Sequence, residues 1–400
     1  MKKGYLSQYF DGVARKILSA VEADILTSNQ HEFNGVEGLR NILGEPEGKM
    51  RYEARFMYLT DHDDEPIVED GFLTWYDARQ KARIERAVIR WEYRLYFPTN
   101  LVSQCANEGD ILVIAKRPDN TLLAIVAEAE TTIAQQISWL FGFSDVSHPG
   151  FSIREELETE QDRIEFASTF ILENIGINVE LDEETYLDDI LEKFGGGFPT
   201  TREFSKYARS TLPDITPHDG HDAVLMAWME REEILFRTLE KHIIGERLSH
   251  GFDGDVSGFI SFSLSVQNRR KSRAGLALEN HLEILFQECG IKYSRTSATE
   301  NKSKPDFIFP GQAEYHDPAF NKINLTMLGV KSSCKDRWRQ VLAEADRIKR
   351  KHLLTLEAAI SKNQTDEMES RELYQLFKLM TRFKPVSCCN RRNFSVFWRL

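Results

Sequence analysis

Two acids and a lysine in the C-terminal half are of types that can do chemistry together. Asp306 lies in Lys304-Pro305-Asp306-Phe307, Lys331 ends the run Leu325-Thr326-Met327-Leu328-Gly329-Val330-Lys331, and Glu344 follows. Carboxylates are hard oxygen ligands, and magnesium usually takes one or two of them beside substrate phosphate. A cation held in this way polarises a phosphate oxygen and lowers the pKa of an attacking water. A neighbouring lysine orients that water and offsets charge developing on the phosphate. The chemistry within reach is metal-assisted hydrolysis of a phosphodiester. In the common version of such a site the second carboxylate stands two residues before the lysine, but here that position is Gly329. The second acid must come from elsewhere. Glu344 is the first candidate, and Glu279 is a further acidic contributor.

Four elements must position these groups, in the order helix, strand, strand, helix. Arg273 to Cys289 reads as an amphipathic helix with Leu278, Leu282, Leu285 and Phe286 on one face and Gly290 as its stop. Lys304 to Pro310 reads as a short strand opened and closed by prolines, and Leu325 to Lys331 as a buried strand. Trp338, Val341, Leu342, Ala345 and Ile348 then make one face of a helix that also carries Glu344. Upstream, a helix begins near His221 with Val224, Leu225, Trp228, Ile234 and Leu235 at its apolar positions. Phe259 to Val266 reads as either a short helix or a strand.

The chain divides into three stretches. Residues 1–145 form a β-rich unit with short strands at Phe72–Trp75, Tyr93–Phe97, Ile111–Ala115 and Leu122–Ala127. Turn chemistry such as Glu108-Gly109-Asp110 and Pro118-Asp119-Asn120 separates them, and a helix is expected over Ile133–Phe141. A partly open barrel fits this pattern. Residues 146–219 are acidic and punctuated by Gly195-Gly196-Gly197, as expected of a helical connecting region. Residues 220–400 carry the catalytic candidates. The fold class expected is α+β/α/β: a barrel-like β-rich domain followed by a mixed sheet flanked by helices.

A net charge of -12 argues mildly against a nucleic-acid binder, yet net charge governs solubility and steering rather than local contacts. The charge is segregated. Acidic runs sit mid-chain, while Arg269-Arg270-Lys271 and the stretch from Lys331 to Lys351 are basic. Five cysteines, Cys105, Cys289, Cys334, Cys388 and Cys389, lack metal-ligand spacing and read as reduced thiols in a cytoplasmic protein. No secretory signal or membrane-spanning run is evident. A Walker-type phosphate loop is missing as well, so no nucleotide cofactor is implied.

The segment Asn268-Arg269-Arg270-Lys271-Ser272-Arg273-Ala274-Gly275, with Leu278-Glu279 and His281-Leu282-Glu283, resembles the EcoRII restriction endonuclease family. So do Lys304-Pro305-Asp306-Phe307, Tyr315-His316-Asp317, Val330-Lys331 with Cys334 to Gln340, and Glu344-Ala345-Asp346-Arg347-Ile348. The resemblance is dense from about Asn268 to Leu356 and traceable back to Phe198-Pro199. It implies a type II site-specific deoxyribonuclease with Mg2+ as cofactor, Asp306 and Glu344 as metal ligands, Lys331 as the catalytic lysine and Glu279 as a supporting acid. It also implies that Lys335-Asp336-Arg337 reads the CC:GG part of a duplex DNA target. Arg and Lys donate to guanine O6 and N7, and Asp accepts from cytosine N4, so the assignment is chemically sound. Arg269 and Arg270 join the DNA-recognition candidates, and Arg231, with Trp228, is a candidate contact to a flipped base. A homodimer follows from target symmetry, and a cognate DNA methyltransferase is the expected genetic partner.

Each residue has a plainer reading. Asp306 after a proline opens a turn; Asp336 N-caps a helix; Lys335, Arg337 and Arg339 form a solvated face; Glu344 pairs with lysines on its own helix. In the first unit, Trp75, Tyr76, Arg79, Lys81, Arg83, Arg86, Arg90, Trp91, Tyr93 and Arg94 interleave aromatic and basic character. They make either a barrel core flanked by charge or a DNA-contacting face. Two other functions remain open: a DNA-binding protein that no longer cuts, and a structure-specific repair nuclease. The former is prompted by the chain beyond about Glu369, where the family pattern is expected to break down and the tail reads as replaced.

Overall fold

The computed structural model describes residues 4–23, 31–62, 65–86, 91–143, 150–179, 186–217, 220–332 and 337–376. The chain forms two compact units, one of residues 1–179 with 358–365, the other of 180–357 with 366–400.

In the first unit, β-branched and aromatic runs build strands β1 (Gly12–Ile17), β2 (Glu32–Asn34), β3 (Met50–Leu59), β4 (Ile67–Asp77), β5 (Tyr93–Tyr96), β6 (Ile111–Lys116), β7 (Leu122–Ala127) and β8 (Ser152–Arg154). They hydrogen-bond in the order β2-β5-β4-β3-β7-β6-β1-β8. Only the β3–β7 pair is parallel. Because side chains alternate along a strand, β6 and β7 bury opposite faces in two separate cores. Leu112, Ile114, Ala124 and Val126 enter one, which also takes in Phe33 on β2 at one edge and Phe151 beside β8 at the other. The sheet therefore curls, as the partly open barrel required. Val113, Ala115, Ile125 and Ala127 enter the second core.

Helices α1 (Ala20–Ala23), α2 (Leu39–Leu43), α3 (Gln80–Arg86) and α4 (Leu101–Cys105) lie between the strands. Helices α5 (Thr132–Leu140) and α6 (Phe166–Asn174) close the second core with Ile137, Ile171 and Leu172. The β6–β7 hairpin turns where expected: Asn120 has φ 66° and Asp119 Oδ1 accepts from the Thr121 backbone at 3.0 Å. Residues 358–365 complete this unit. The Ser361 N–H donates to Thr132 Oγ1 at 3.2 Å, and Asn363 donates to Glu130 at 2.8 Å.

The second unit opens with α7 (Tyr186–Phe194) and α8 (Thr201–Ser210), which pack against two long helices, α9 (His221–His250) and α10 (Val256–Glu288). Thr200 caps α8 in a capping box with Glu203. Phe259 to Val266 is helical, continuing into the helix expected to start at Arg273, so α10 runs unbroken for 33 residues. The sheet follows: β9 (Ser294–Arg295), β10 (Phe307–Phe309), then α11 (Gln312–His316), β11 (Thr326–Lys331), α12 (Arg337–Leu342), β12 (Lys351–Thr355), α13 (Lys362–Ser370) and β13 (Leu373–Leu376). Its order is β13-β12-β11-β10-β9, antiparallel from β9 to β11 and parallel from β11 to β13. This is the mixed sheet expected. The sheet also continues past Glu369, because Leu373–Leu376 pairs in register with β12. The departure from Phe377 onward lies outside the described residues.

Candidate active site

The β10–β11 pairing brings the first two groups together. Phe307 stands opposite Leu328, which places Asp306 beside the end of β11. Asp306 Oδ2 accepts the Val330 N–H at 2.7 Å and Lys331 Nζ at 3.0 Å. A charge-assisted pair anchored on a strand backbone has little freedom to drift.

Glu344 does not ride on the following helix. Helix α12 ends at Leu342, and Glu344 lies just beyond it, before Ala345 at φ 51°. The carboxylate is thus held by a tight turn rather than a helix face. Its Oε2 is buried and has no hydrogen-bond partner among the described residues. Burial pushes the Glu344 carboxyl above its ordinary range; Lys331 opposes that, Asp306 adds to it, and Lys351 opposes it. Those causes place Glu344 within electrostatic reach of the Asp306–Lys331 pair. Glu279, on α10, is raised by burial first and by the Asp306 carboxylate second, while Arg295 and Lys331 counteract. All four residues singled out from the sequence therefore converge.

Two supporting residues escaped the sequence reading. Arg295 on β9 donates to Glu279 Oε2, Asn280 Oδ1 and Glu283 Oε2, each at 2.9 Å. Glu279 and Glu283, one helical turn apart, were the visible hint that a cation faces this side of α10. Lys351, at the start of β12, is buried, and its Nζ donates to Leu342 O at 2.5 Å and to Glu344 O. A lysine opening the apolar run His352-Leu353-Leu354 was the available signal.

Gly329 is required by packing. A Cβ there would lie 2.6 Å from Val341 Cγ2 and 3.0 Å from Cγ1. Helix α12 sits so close on β11 that a side chain two residues before the lysine would displace Val341, a steric ground for glycine at that position. Among the described residues, no group of three or more His, Cys, Asp or Glu side chains is arranged to hold a metal ion. A magnesium ion needs only one or two carboxylates, however. The hard-oxygen pair Asp306 and Glu344, with the unpartnered Glu344 oxygen, fits that demand.

The remaining candidates lie elsewhere. Lys335 and Asp336 fall outside the described residues, and Arg337 begins α12 with its side chain undescribed. Arg231 on α9 stacks over Tyr186 and bonds its hydroxyl. Trp228 is buried and packs against His281. On α10, Arg269 lies over Phe198 at 4.2 Å, and Arg270 is paired with Glu240 at 2.7 Å. Tyr315 is buried, bonds Glu300 and receives the Arg347 guanidinium on its carbonyl, a structural role. In the first unit Trp75 is buried, Arg79 and Arg94 pair with Glu92, and Arg83 pairs with Asp77. Lys81, Arg86 and Trp91 stay exposed. Of the cysteines, Cys105 and Cys289 are free, and the other three lie outside the described residues. No described helix is long and apolar enough to cross a membrane.

Comparison with known proteins bears on the same stretch of the chain. Residues 236–380 match the family model described as EcoRII C terminal, reaching beyond the Glu369 boundary expected from the sequence. The type II restriction enzyme EcoRII of Escherichia coli is 44% identical over 172 residues, which are 43% of this chain and 42% of that enzyme. The type II restriction enzyme SsoII of Shigella sonnei is 29% identical over 109 residues, 25% of this chain and 35% of it. The matched part thus spans well under half the length of either relative. Among solved structures, metal-depleted Ecl18kI in complex with uncleaved, modified DNA has a TM-score of 0.39 at 22% identity, covering 49% of this chain and 75% of that one. A PspGI–substrate DNA complex has a TM-score of 0.37 at 19% identity, covering 49% of this chain and 81% of that one. Over residues 236–380 the likeness to the EcoRII C-terminal family, first suggested by the motifs around Asp306, Lys331 and Glu344, is shown.

Proposed function

We propose that this chain is a type II restriction endonuclease that hydrolyses both strands of duplex DNA at a short site containing CC and GG. The observation that carries the reading is the convergence of Asp306, Lys331, Glu344 and Glu279 beside the C-terminal end of the central strand β11. Asp306 and Glu344 would hold a magnesium ion, which when bound supplies a polarised phosphate oxygen and a water of lowered pKa. Lys331 holds the Asp306 carboxylate in place through their ion pair, and presents its positive charge where phosphate charge develops. Glu279, held by Arg295, adds a third carboxylate to the same field. Its raised pKa suits a group that takes up a proton during the reaction.

Lys335-Asp336-Arg337 is assigned the reading of the G·C pairs, four to six residues after Lys331. Target symmetry calls for two copies of the chain, and a DNA methyltransferase protecting the same site is the expected genetic partner. The first unit is assigned a DNA-contacting role, with Lys81, Arg86 and Trp91 as its exposed groups. Incubating the purified protein with mixed-sequence plasmid DNA and magnesium, beside Lys331→Ala, tests the reading. Discrete fragment ends at a CC…GG site, absent with the variant, support it; uncut DNA from both proteins overturns it.

A further inference from the structure

Glu279 is held by a side chain that itself needs holding. Arg295 sits on β9, a two-residue strand at the edge of the sheet that pairs with β10. An arginine is among the side chains that lose most rotamer freedom when fixed, and so short an edge strand does not aim its guanidinium. The partners do. Nε and Nη2 both donate to Glu279 Oε2, at 3.2 and 2.9 Å, while Nη1 donates to Asn280 Oδ1 and Glu283 Oε2, each at 2.9 Å. Because both bonds to Glu279 fall on Oε2, Oε1 stays outside the grip of Arg295.

The Asn280 bond is one link of a longer chain whose direction has a single solution. A guanidinium only donates, so the Asn280 amide oxygen must face Arg295 and its amino group must point away. That amino group donates to Ser205 Oγ on α8 at 3.2 Å, and the Ser205 hydroxyl donates onward to Thr201 O at 2.8 Å. Ser205 and Asn280 are both buried, where such bonds are stronger than in water. Helix α8 is firmly seated: Thr200 caps it, and Phe204, Tyr207 and Ala208 pack with Leu235, Phe236 and Leu239 of α9. A second route leads from α8 towards the same guanidinium, since Arg202 donates to Glu283 Oε2 at 3.0 Å. The Arg202 side chain is 71% exposed, however, and an ion pair so open to water and salt holds little.

We infer that Asn280 is a positioning residue for the candidate active site: it transmits the hold of helix α8 to the Arg295 guanidinium and thereby fixes the Glu279 carboxylate. It acts through Arg295 and not on the substrate. For the use to which Glu279 is put, the inference rests on the nuclease reading given above; the brace itself does not.

The brace is read without DNA or metal, from the solvent-exchange rate of the Arg295 Nε–H in NMR spectra of the full chain, assigned by its loss in Arg295→Met. Asn280→Leu should speed that exchange about tenfold, the worth of one hydrogen bond to a charged group. Ser205→Ala, which cuts the same chain one link earlier, should speed it as well. Asn280→Asp keeps an acceptor towards Arg295 and lets the Ser205 hydroxyl donate to it, so exchange should stay slow. Arg202→Ala should also leave it slow. Unchanged exchange in Asn280→Leu or in Ser205→Ala overturns the inference, and so does fast exchange in Asn280→Asp. In cleavage of plasmid DNA, Asn280→Leu should lower kcat about tenfold, with KM for DNA and the magnesium concentration for half-maximal cleavage unchanged. In an Arg295→Met background it should lower kcat no further. A rise in KM alone, or a full additional loss in that background, also overturns the inference. A wild type that never cuts DNA, with Arg295 exchange responding as expected, sinks the nuclease reading and leaves the brace on Glu279 standing.

Discussion

Gly329 offers the sharpest test of how the site is built. Its added Cβ would come within 2.6 Å of Val341 Cγ2, and Val341 is fully buried. Forcing a methyl into such a contact costs about 1–3 kcal/mol, reduced by roughly 0.5–1 kcal/mol because alanine gives up less chain entropy than glycine. Gly329→Ala should therefore destabilise by about 1–2 kcal/mol, a fall in Tm of roughly 2–8 °C for a domain of this size. Val341→Ala alone should cost about 2 kcal/mol through lost burial and a small cavity. The two changes share one space, so the double variant should be more stable than the sum by about 1–2 kcal/mol. Urea denaturation of the four proteins in a double-mutant cycle measures this. Additivity within about 0.3 kcal/mol would show that the strand and helix do not press on each other there. Gly329→Asp, which restores the common acid position, should be less stable still and should not gain activity. A stable, faster Gly329→Asp enzyme would remove the steric explanation for the displaced ligand.

Burial chiefly holds the Glu344 carboxyl above its ordinary 4.5. A group whose folded pKa exceeds its unfolded one loses stability as pH rises through that window. In metal-free protein, Glu344→Gln should gain stability over the wild type as pH climbs from 4.5, with urea midpoints running parallel if the carboxylate is in fact well solvated. Lys351→Met leaves the Leu342 and Glu344 carbonyls without their donor, costing about 1–3 kcal/mol. Because it frees the turn bearing Glu344, the magnesium concentration for half-maximal cleavage should rise, whereas an unchanged value would make Lys351 purely structural. Arg295→Met strands Glu279 and Glu283 in a mostly buried pair of ion pairs, at a cost of about 3 kcal/mol. Thermal denaturation at pH 8 and pH 5 should show the loss shrinking as Glu279, whose carboxyl burial raises, takes up a proton; an equal loss at both would point to packing instead.

Six strands were legible because β-branched or aromatic runs bounded by Pro, Gly, Asn and Asp have one easy reading, whereas β1, β2, β3, β8, β9, β12 and β13 were not read from the sequence. Leu122–Ala127 and Thr326–Lys331 emerge almost as written. The candidate quartet was legible through the family resemblance of the motifs around it, because a Pro-Asp with a distant lysine is by itself a weak signal. Glu344 was misplaced onto a helix because Ala345 and Ile348 keep the apolar spacing of α12 after the helix has ended, and periodicity does not register a left-handed residue at Ala345. Arg295 and Lys351 were missed because each reaches from a strand to a different element, a pairing that no periodicity within one element reveals. The Val256–Val266 stretch stayed ambiguous because its polar residues are serines alone, without the charged side chains that normally declare a surface helix.

Residues 358–365 belong to the first unit, although β12 before them and β13 after them are neighbours in the second sheet. The polypeptide therefore passes from one unit to the other three times. No single scissile point yields two intact halves. A fragment starting at residue 180 keeps Ser361, Asn363 and Gln364 but loses Thr132, Glu130 and Asp61, their hydrogen-bond partners. Anyone excising the nuclease half for crystallisation, or fusing it to another DNA-binding module, inherits an eight-residue excursion built to rest on something that has been removed.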